Sequence, residues 1–83
     1  MKVQIIRIKG YETRNAVPFT EDAVIMPKDL SDSMRDDVLR ELRNNHYAIG
    51  FIFNEGDLIV GEHRFMTVTS YQLLEELEMV AVQ

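Results

Sequence analysis

The sequence contains no cysteine among its 83 residues. This absence excludes disulfides, thiolate nucleophiles and cysteine-ligated zinc or iron–sulfur sites together. Small secreted domains commonly need disulfides for stability, so a chain of this length without them is more typical of a reducing compartment. We therefore predict a cytoplasmic protein.

Long hydrophobic segments are also missing. The longest nearly continuous apolar run covers residues 48–53, which is far shorter than the roughly 20 residues that span a bilayer. Near the start, Lys2, Arg7 and Lys9 leave no room for the hydrophobic core of a signal peptide. These features predict a soluble protein with no membrane association.

Basic residues are in the minority. Nine Lys and Arg stand against fourteen Asp and Glu, which gives a net charge of −5. Proteins that bind nucleic acid through its phosphates normally carry a basic excess, so we expect no direct nucleic-acid binding.

The hydrophobic content of 46% is ordinary for a globular protein. A chain this short builds one modest core, which predicts a single domain over residues 1–83.

Motifs that carry chemistry are absent as well. The four glycines are scattered, so they form no phosphate-binding loop or dinucleotide fingerprint. His46 and His63 lie far apart and have no spacing typical of metal ligands. Glu62 is poorly placed to orient His63, because adjacent strand residues point to opposite faces. We therefore predict no catalytic residue, cofactor or metal site, and expect binding rather than catalysis.

Apolar periodicity predicts the first part of the fold. Residues 2–9 are rich in Val and Ile on both faces, which is typical of a central strand, and Gly10 is expected to end it. Residues 11–20 are predicted to be a polar connection. Residues 23–26 are predicted to form a short second strand, because Pro27 follows them.

The clearest helical pattern comes next. Met34, Val38 and Leu42 recur at every fourth position, and charged residues occupy the other face. Ser31 or Ser33 can cap the start of this helix. The two consecutive asparagines after it are predicted to end it in a left-handed conformation.

Beyond the helix the residues become aromatic and β-branched. Residues 48–53 and 58–60 are predicted to form a central β-hairpin, because Asn and Gly within residues 54–57 favour a tight reversal. The helix is expected to pack on one face of this hairpin. Residues 64–68 favour a further strand.

The last part of the sequence predicts a second helix over residues 71–78, where Leu73, Leu74 and Leu77 form an apolar stripe. Residues 79–82 fit either a continuation of that helix or an edge strand. The order of these elements predicts the α+β class, with a small, largely antiparallel sheet and two helices packed on it.

Acidic side chains are the leading candidates for a functional surface. Three of them lie within six consecutive residues on the first helix, and no Lys or Arg follows Arg64 to balance those near the C-terminal end. Such a surface can attract a basic partner or imitate nucleic acid, although solubility alone also explains it. The predicted partner-binding residues are Asp36, Asp37, Glu41, Glu75, Glu76 and Glu78.

Two functional hypotheses follow. The first is a small non-enzymatic protein-interaction module that inhibits or regulates another protein, of the kind that phages and other mobile elements often carry. The second is an oligomeric small-ligand-binding or catalytic domain with a pocket shared between chains, lined by His63 or Arg64. A core this small also leaves apolar surface uncovered, so we expect a homodimer formed through an exposed sheet edge or the C-terminal apolar residues.

Overall fold

The computed structural model describes residues 1–79 as a mixed five-stranded sheet with one helix. The spatial order of the strands is β3-β2-β1-β5-β4. The α+β class is confirmed, whereas the prediction of two helices is wrong. The elements are β1 (Lys2–Glu12), β2 (Pro18–Met26), α1 (Asp32–Asn44), β3 (Ile49–Asn54), β4 (Gly61–Glu62) and β5 (Met66–Glu78).

β1 is the central strand, as predicted. It pairs antiparallel with β2 on one side and with β5 on the other. Val3, Ile5, Ile6 and Ile8 are all buried. Apolar side chains occupy both faces of this strand because both faces of the sheet are covered at its centre.

The prediction that Gly10 ends the first strand is wrong. β1 continues to Glu12, and Gly10 lies opposite Val68 of β5. A Cβ atom added at Gly10 would overlap the carbonyl oxygen of Thr67. The glycine therefore permits two backbones to approach closely within the sheet, instead of reversing the chain.

β2 is also longer than predicted, because it begins at Pro18. Proline is tolerated at the first position of a strand. The connection from β1 is correspondingly short. Within it, Glu12 N donates to Val17 O at 2.9 Å and Ala16 N donates to Glu12 O at 2.8 Å.

The first helix is confirmed, and Ser31 is its cap. The Ser31 hydroxyl accepts a hydrogen bond from the Met34 backbone N–H at 3.3 Å. Val38 and Leu42 are buried against the sheet, as expected for the apolar stripe. The left-handed residue that ends the helix is His46, with φ of 73°, and not one of the two asparagines.

The predicted central hairpin is wrong. Residues 54–57 do form a turn, in which Asp57 N donates to Asn54 O at 3.0 Å, but residues 58–60 form no strand. β3 instead pairs in parallel with β2, and α1 is the crossover between them. Parallel neighbours require such a crossover. The turn residues within 54–57 therefore gave no indication that β3 pairs with β2.

The predicted second helix over residues 71–78 is a strand. β5 pairs with β1 along its whole length, and the register passes over Thr69 and Leu74, which form bulges. The bulge at Leu74 shifts the two-residue alternation of the strand by one position. As a result, Leu73 and Leu77 lie on opposite faces although their spacing with Leu74 is typical of a helix.

Of the segment 79–82, only Met79 lies within the described residues. Its backbone N–H donates to Met1 O at 2.7 Å, and its side chain is buried. This bond continues the contact between the adjoining ends of β1 and β5.

Two hydrophobic clusters lie on opposite faces of the sheet. We call the face that α1 covers the helix face, and the other the open face. The helix-face cluster comprises Val3, Ile5, Val24, Met26, Val38, Leu39, Leu42, Ile49 and Met79. The open-face cluster comprises Ile6, Ile8, Ala23, Phe53, Met66 and Val68, with Phe19, Ile25, Phe51 and Ile59 packed against it.

Candidate functional site

The segment between β3 and β4 crosses the open face, because these two strands form opposite edges of the sheet. Ile59 of this segment packs on the open-face cluster. The rings of Phe53, in β3, and His63, beside β4, are in edge contact with centroids 5.3 Å apart. The two edges thus approach one another, and the sheet curls around its open face.

A tight hairpin between β4 and β5 places an aromatic ring at the rim of this curled face. His63 N donates to Met66 O at 2.8 Å and Met66 N donates to His63 O at 3.3 Å, so Arg64 and Phe65 form a two-residue loop. Phe65 O accepts a hydrogen bond from Thr13 N at 3.3 Å, which attaches the loop to the β1–β2 connection. The Phe65 side chain remains 71% exposed.

All four phenylalanines of the chain lie at the open face. Phe53 is buried, whereas Phe19 and Phe51 are half-buried with ring centroids 6.1 Å apart, which is within the usual range for an aromatic pair. These two rings and Phe65 line a groove of about 350 Å³, which we call the aromatic groove. Its remaining lining residues are Glu12, Arg14, Asn15, Glu21 and Met66.

Two carboxylates border the aromatic groove. Glu12 of β1 and Glu21 of β2 are both exposed. Neither carboxylate takes part in an ion pair within residues 1–79. Glu12 accepts a long hydrogen bond of 3.4 Å from Asn15. With Arg14 as the cation in the lining, two carboxylates and one guanidinium give the groove a charge of −1.

A second cavity of about 260 Å³ adjoins the aromatic groove and shares Phe51, Phe65 and Met66 with it. His63 and Arg64, which the ligand-binding hypothesis singled out, both line this cavity. However, His63 Nε2 lies 2.7 Å from Ile59 O, and the Arg64 guanidinium carbon lies 4.9 Å from the centre of the Phe65 ring. The His63 ring therefore already contacts the segment between β3 and β4, and the Arg64 guanidinium already contacts the neighbouring Phe65 ring.

The predicted acidic residues of the helix lie at the surface. Asp36 and Glu41 are exposed, and Asp37 is half-buried. Asp37 Oδ1 is 3.2 Å from Nη1 of Arg40. Four acidic residues and three arginines within α1 give the helix a charge of −1. Its field is therefore weaker than the acidic residues alone suggest.

The predicted acidic residues near the C-terminal end lie on β5 and not on a second helix. Register and alternation place Glu75 on the helix face, and Glu76 and Glu78 on the open face. Glu76 Oε1 is 3.7 Å from Lys2 Nζ, and Glu78 Oε1 is 3.2 Å from the Met1 amino nitrogen. The structure therefore divides the six predicted residues between α1 and both faces of β5.

The outer edge of β5 is long and largely uncovered. β4 pairs with only two residues near the start of β5, so within the described residues the edge over 69–78 has no neighbouring strand. Tyr71 and Leu73 are 50% and 51% exposed, and Leu74 is also exposed. The backbone N–H and C=O groups of such an edge are available for pairing with another strand.

β3 forms the opposite edge of the sheet and is better protected. Arg43 Nη2 donates to Ile49 O at 3.1 Å, at the start of this strand. Arg35 donates to the Asn54 side-chain oxygen at its end. Charged side chains beside an edge strand discourage further pairing. Residues 70–73 of β5 carry no charge, so this part of its edge is the more accessible of the two.

Within residues 1–79, no group of three or more His, Asp or Glu is arranged to hold a metal ion. In the same part of the chain, no helix combines the length and the apolar character that crossing a membrane requires. Comparisons with family models, curated proteins and solved structures found no match to this chain.

Local sequence patterns do not reveal the aromatic groove. Phe19 and Phe51 are distant in sequence and meet only because β2 and β3 are parallel neighbours. A weak signal was present, since the apolar residues Phe19, Ala23 and Ile25 occupy alternate positions of one strand, and Phe51 and Phe53 do so in another. Such alternation indicates a second apolar sheet face, but not which strands share it.

Proposed function

We propose that this protein is a non-enzymatic protein-interaction module that binds an extended segment of another protein along the outer edge of β5. The observation that supports the proposal best is the edge over residues 69–78, which has no neighbouring strand within residues 1–79 and along which Tyr71, Leu73 and Leu74 are exposed. When a strand is added to a sheet edge, backbone hydrogen bonds supply affinity and alternate side chains supply specificity. Inhibition or regulation of that partner, as by phage or mobile-element proteins, and a cytoplasmic location belong to the same proposal.

The shape of the β5 edge favours a selective partner. Bulges at Thr69 and Leu74 interrupt it, and the Thr69 hydroxyl donates to Lys9 O at 3.1 Å within the first of them. Bulges increase local twist and discourage indiscriminate edge pairing. The regular stretch from Ser70 to Leu73 lies between them, and we propose that the partner strand pairs there.

Acidic side chains contribute charge to the proposed interaction. Glu75 follows the regular stretch of the edge, and the whole chain carries a charge of −5. Opposite charges across strands are favourable and like charges are not. Long-range attraction also increases the association rate with a basic target. We therefore propose a basic partner segment, with attraction from Asp36, Asp37, Glu41, Glu75, Glu76 and Glu78.

The test is capture of the native partner by three tagged versions of the full chain. The edge variant is Tyr71→Lys/Leu74→Lys, because lysines along an edge oppose strand addition. The matched control is Leu58→Lys/Val60→Lys, which adds two lysines at exposed positions off the edge. We expect the wild type and the control to retain one stoichiometric protein. The edge variant is expected to retain at most about one tenth as much of that protein.

Recovery is measured by quantitative mass spectrometry, and circular dichroism with thermal unfolding checks the fold of each variant. Equal recovery by the edge variant would move the binding site away from β5. If none of the three versions retained a stoichiometric protein, the interaction function itself would be contradicted.

A second candidate function is supported by one specific observation, the cavity of about 260 Å³ that His63 and Arg64 line. We propose, as the alternative, that this cavity binds a small ligand or carries out catalysis in an oligomer where a second chain completes it. The volume is close to the lower limit of common ligand pockets. A defined metabolite retained through purification and released on denaturation would support this function over the first.

A further inference from the structure

We propose that the aromatic groove binds the side chain of an arginine from a basic protein partner. The groove is formed by β1, β2, β3 and the β4–β5 hairpin loop, and its lining contains none of residues 69–78. The inference is therefore independent of strand addition to β5. Either interaction can fail without the other.

The lining of the aromatic groove favours an organic cation. Phe19, Phe51 and Phe65 provide three aromatic rings, and an aromatic ring attracts a cation through its quadrupole. Glu12 and Glu21 add two carboxylates on the adjoining strands, so that the groove has a charge of −1 after its one arginine is included. A neutral apolar side chain would contact the rings but would leave the net charge of −1 in the groove unbalanced. A cation with an apolar stem satisfies the rings and the carboxylates together.

An existing contact within the molecule indicates which cation fits. The Arg64 guanidinium lies 4.9 Å from the centre of the Phe65 ring. Phe65 also lines the aromatic groove, and its side chain remains 71% exposed beside Arg64. A guanidinium is planar, stacks on aromatic rings and is more weakly hydrated than an ammonium group. These properties favour arginine over lysine.

The position of the groove favours a side chain that arrives from a protein partner. Phe65 is mostly exposed and forms the tip of a hairpin loop, so the groove opens to the surface. The negative charge of the whole chain also attracts a basic protein before contact.

The test is an NMR titration of the ¹⁵N-labelled full chain with the blocked peptide acetyl-Gly-Arg-Gly-amide. The control peptide carries citrulline in place of arginine, which keeps the shape and removes the charge. Tetramethylammonium is titrated separately as a small free cation. We expect saturable shift changes at the groove with the arginine peptide, with a Kd on the order of millimolar for a single side chain, and no saturation with the citrulline peptide.

Two variants with matched controls locate the site. Glu21→Gln removes a carboxylate from the groove, and Phe65→Leu removes the exposed ring. Each is expected to weaken binding by about 2- to 5-fold. Glu55→Gln makes the same charge change at an exposed residue in the turn after β3, and Leu58→Ala shortens an exposed apolar side chain outside the groove lining. Both controls are expected to leave the Kd unchanged, and the amide spectrum of each variant verifies its fold.

Three outcomes would overturn the proposal. Equal binding of the citrulline peptide would show that charge does not matter. Equal weakening by Glu21→Gln and Glu55→Gln would show that net charge, and not the groove, attracts the peptide. Saturable binding of tetramethylammonium without binding of the arginine peptide would assign the groove to a small free cation instead of a partner's side chain.

Discussion

Gly10 lies where the backbone of β5 passes close to that of β1. A Cβ atom at this position would overlap Thr67 O and would lie 3.0 Å from Val68 Cα. Both are backbone atoms, which cannot move away without disturbing the pairing of the two strands. The adjacent bulge at Thr69 shifts the register at this same point. The requirement for glycine is therefore steric, because the sheet leaves no volume for a side chain.

Replacing Gly10 with Ala is expected to lower the free energy of unfolding by about 2–4 kcal/mol, because the clash involves backbone atoms of the central strand pair. Urea denaturation followed by circular dichroism measures the change. Lys9→Ala is the control, since Lys9 is exposed on the same strand, and it should change stability by less than about 0.5 kcal/mol. A loss at Gly10 no larger than that of the control would show that the strands are not so close.

The sequence could not distinguish this role of Gly10 from the end of a strand. A glycine after an apolar run is typical of both a chain reversal and a close backbone approach. The deciding atom, Thr67 O, belongs to a strand far along the chain. Residue-level predictions therefore succeeded where the relevant neighbour was local, as for Ser31, whose partner Met34 is three positions away.

At the scale of the elements, α1 was the best predicted because its signals are local. Its cap, its apolar stripe and its length are all set by residues within one or two turns. The strands behave differently. β3 pairs with β2 across a helix, and β5 takes its strand conformation by pairing with β1. Tertiary pairing thus overrode the helical spacing of Leu73, Leu74 and Leu77.

Replacing Val38 or Leu42 with Ala is expected to lower the free energy of unfolding by about 1–4 kcal/mol. Both side chains are buried in the helix-face cluster, so each substitution leaves a cavity between α1 and the sheet. Arg40→Ala is the control, because Arg40 is exposed on the same helix. Chemical denaturation of the three variants is the measurement. Losses below about half a kcal/mol at both core positions would show that this helix face does not pack as described.

At the scale of the whole molecule, the uncovered surfaces are set by the order of the strands. The aromatic groove forms only because β2 lies beside β3 and because the curl of the sheet brings β4 toward them. The edge of β5 is accessible because β5 lies next to β1 on the side away from β2, and only the short β4 follows it. Composition and periodicity carry no information about strand order, so neither surface could be predicted as a site. The expectation of an exposed sheet edge, in contrast, came from size alone, because a small core covers little apolar surface.

The free edge of β5 also suits a second copy of the chain. Antiparallel pairing centred on Gln72 would place Tyr71 opposite Leu73, which lies on the same face of the sheet. Apolar side chains would then face one another across the interface, and no carboxylate of β5 would lie opposite another. Apolar cross-strand pairs stabilise a sheet, whereas carboxylates that face one another destabilise it.

We therefore expect the isolated protein to form a dimer through β5 at micromolar concentration, as measured by analytical ultracentrifugation. Tyr71→Lys/Leu74→Lys should make it a monomer, because lysines along an edge oppose pairing with another strand. Leu58→Lys/Val60→Lys should remain a dimer, since both positions lie outside β5. A partner strand would occupy the same edge, so its addition should dissociate the dimer. A wild-type species of 9.7 kDa across the concentration series would contradict self-pairing, whereas a dimer that persists in the edge variant would place the interface elsewhere.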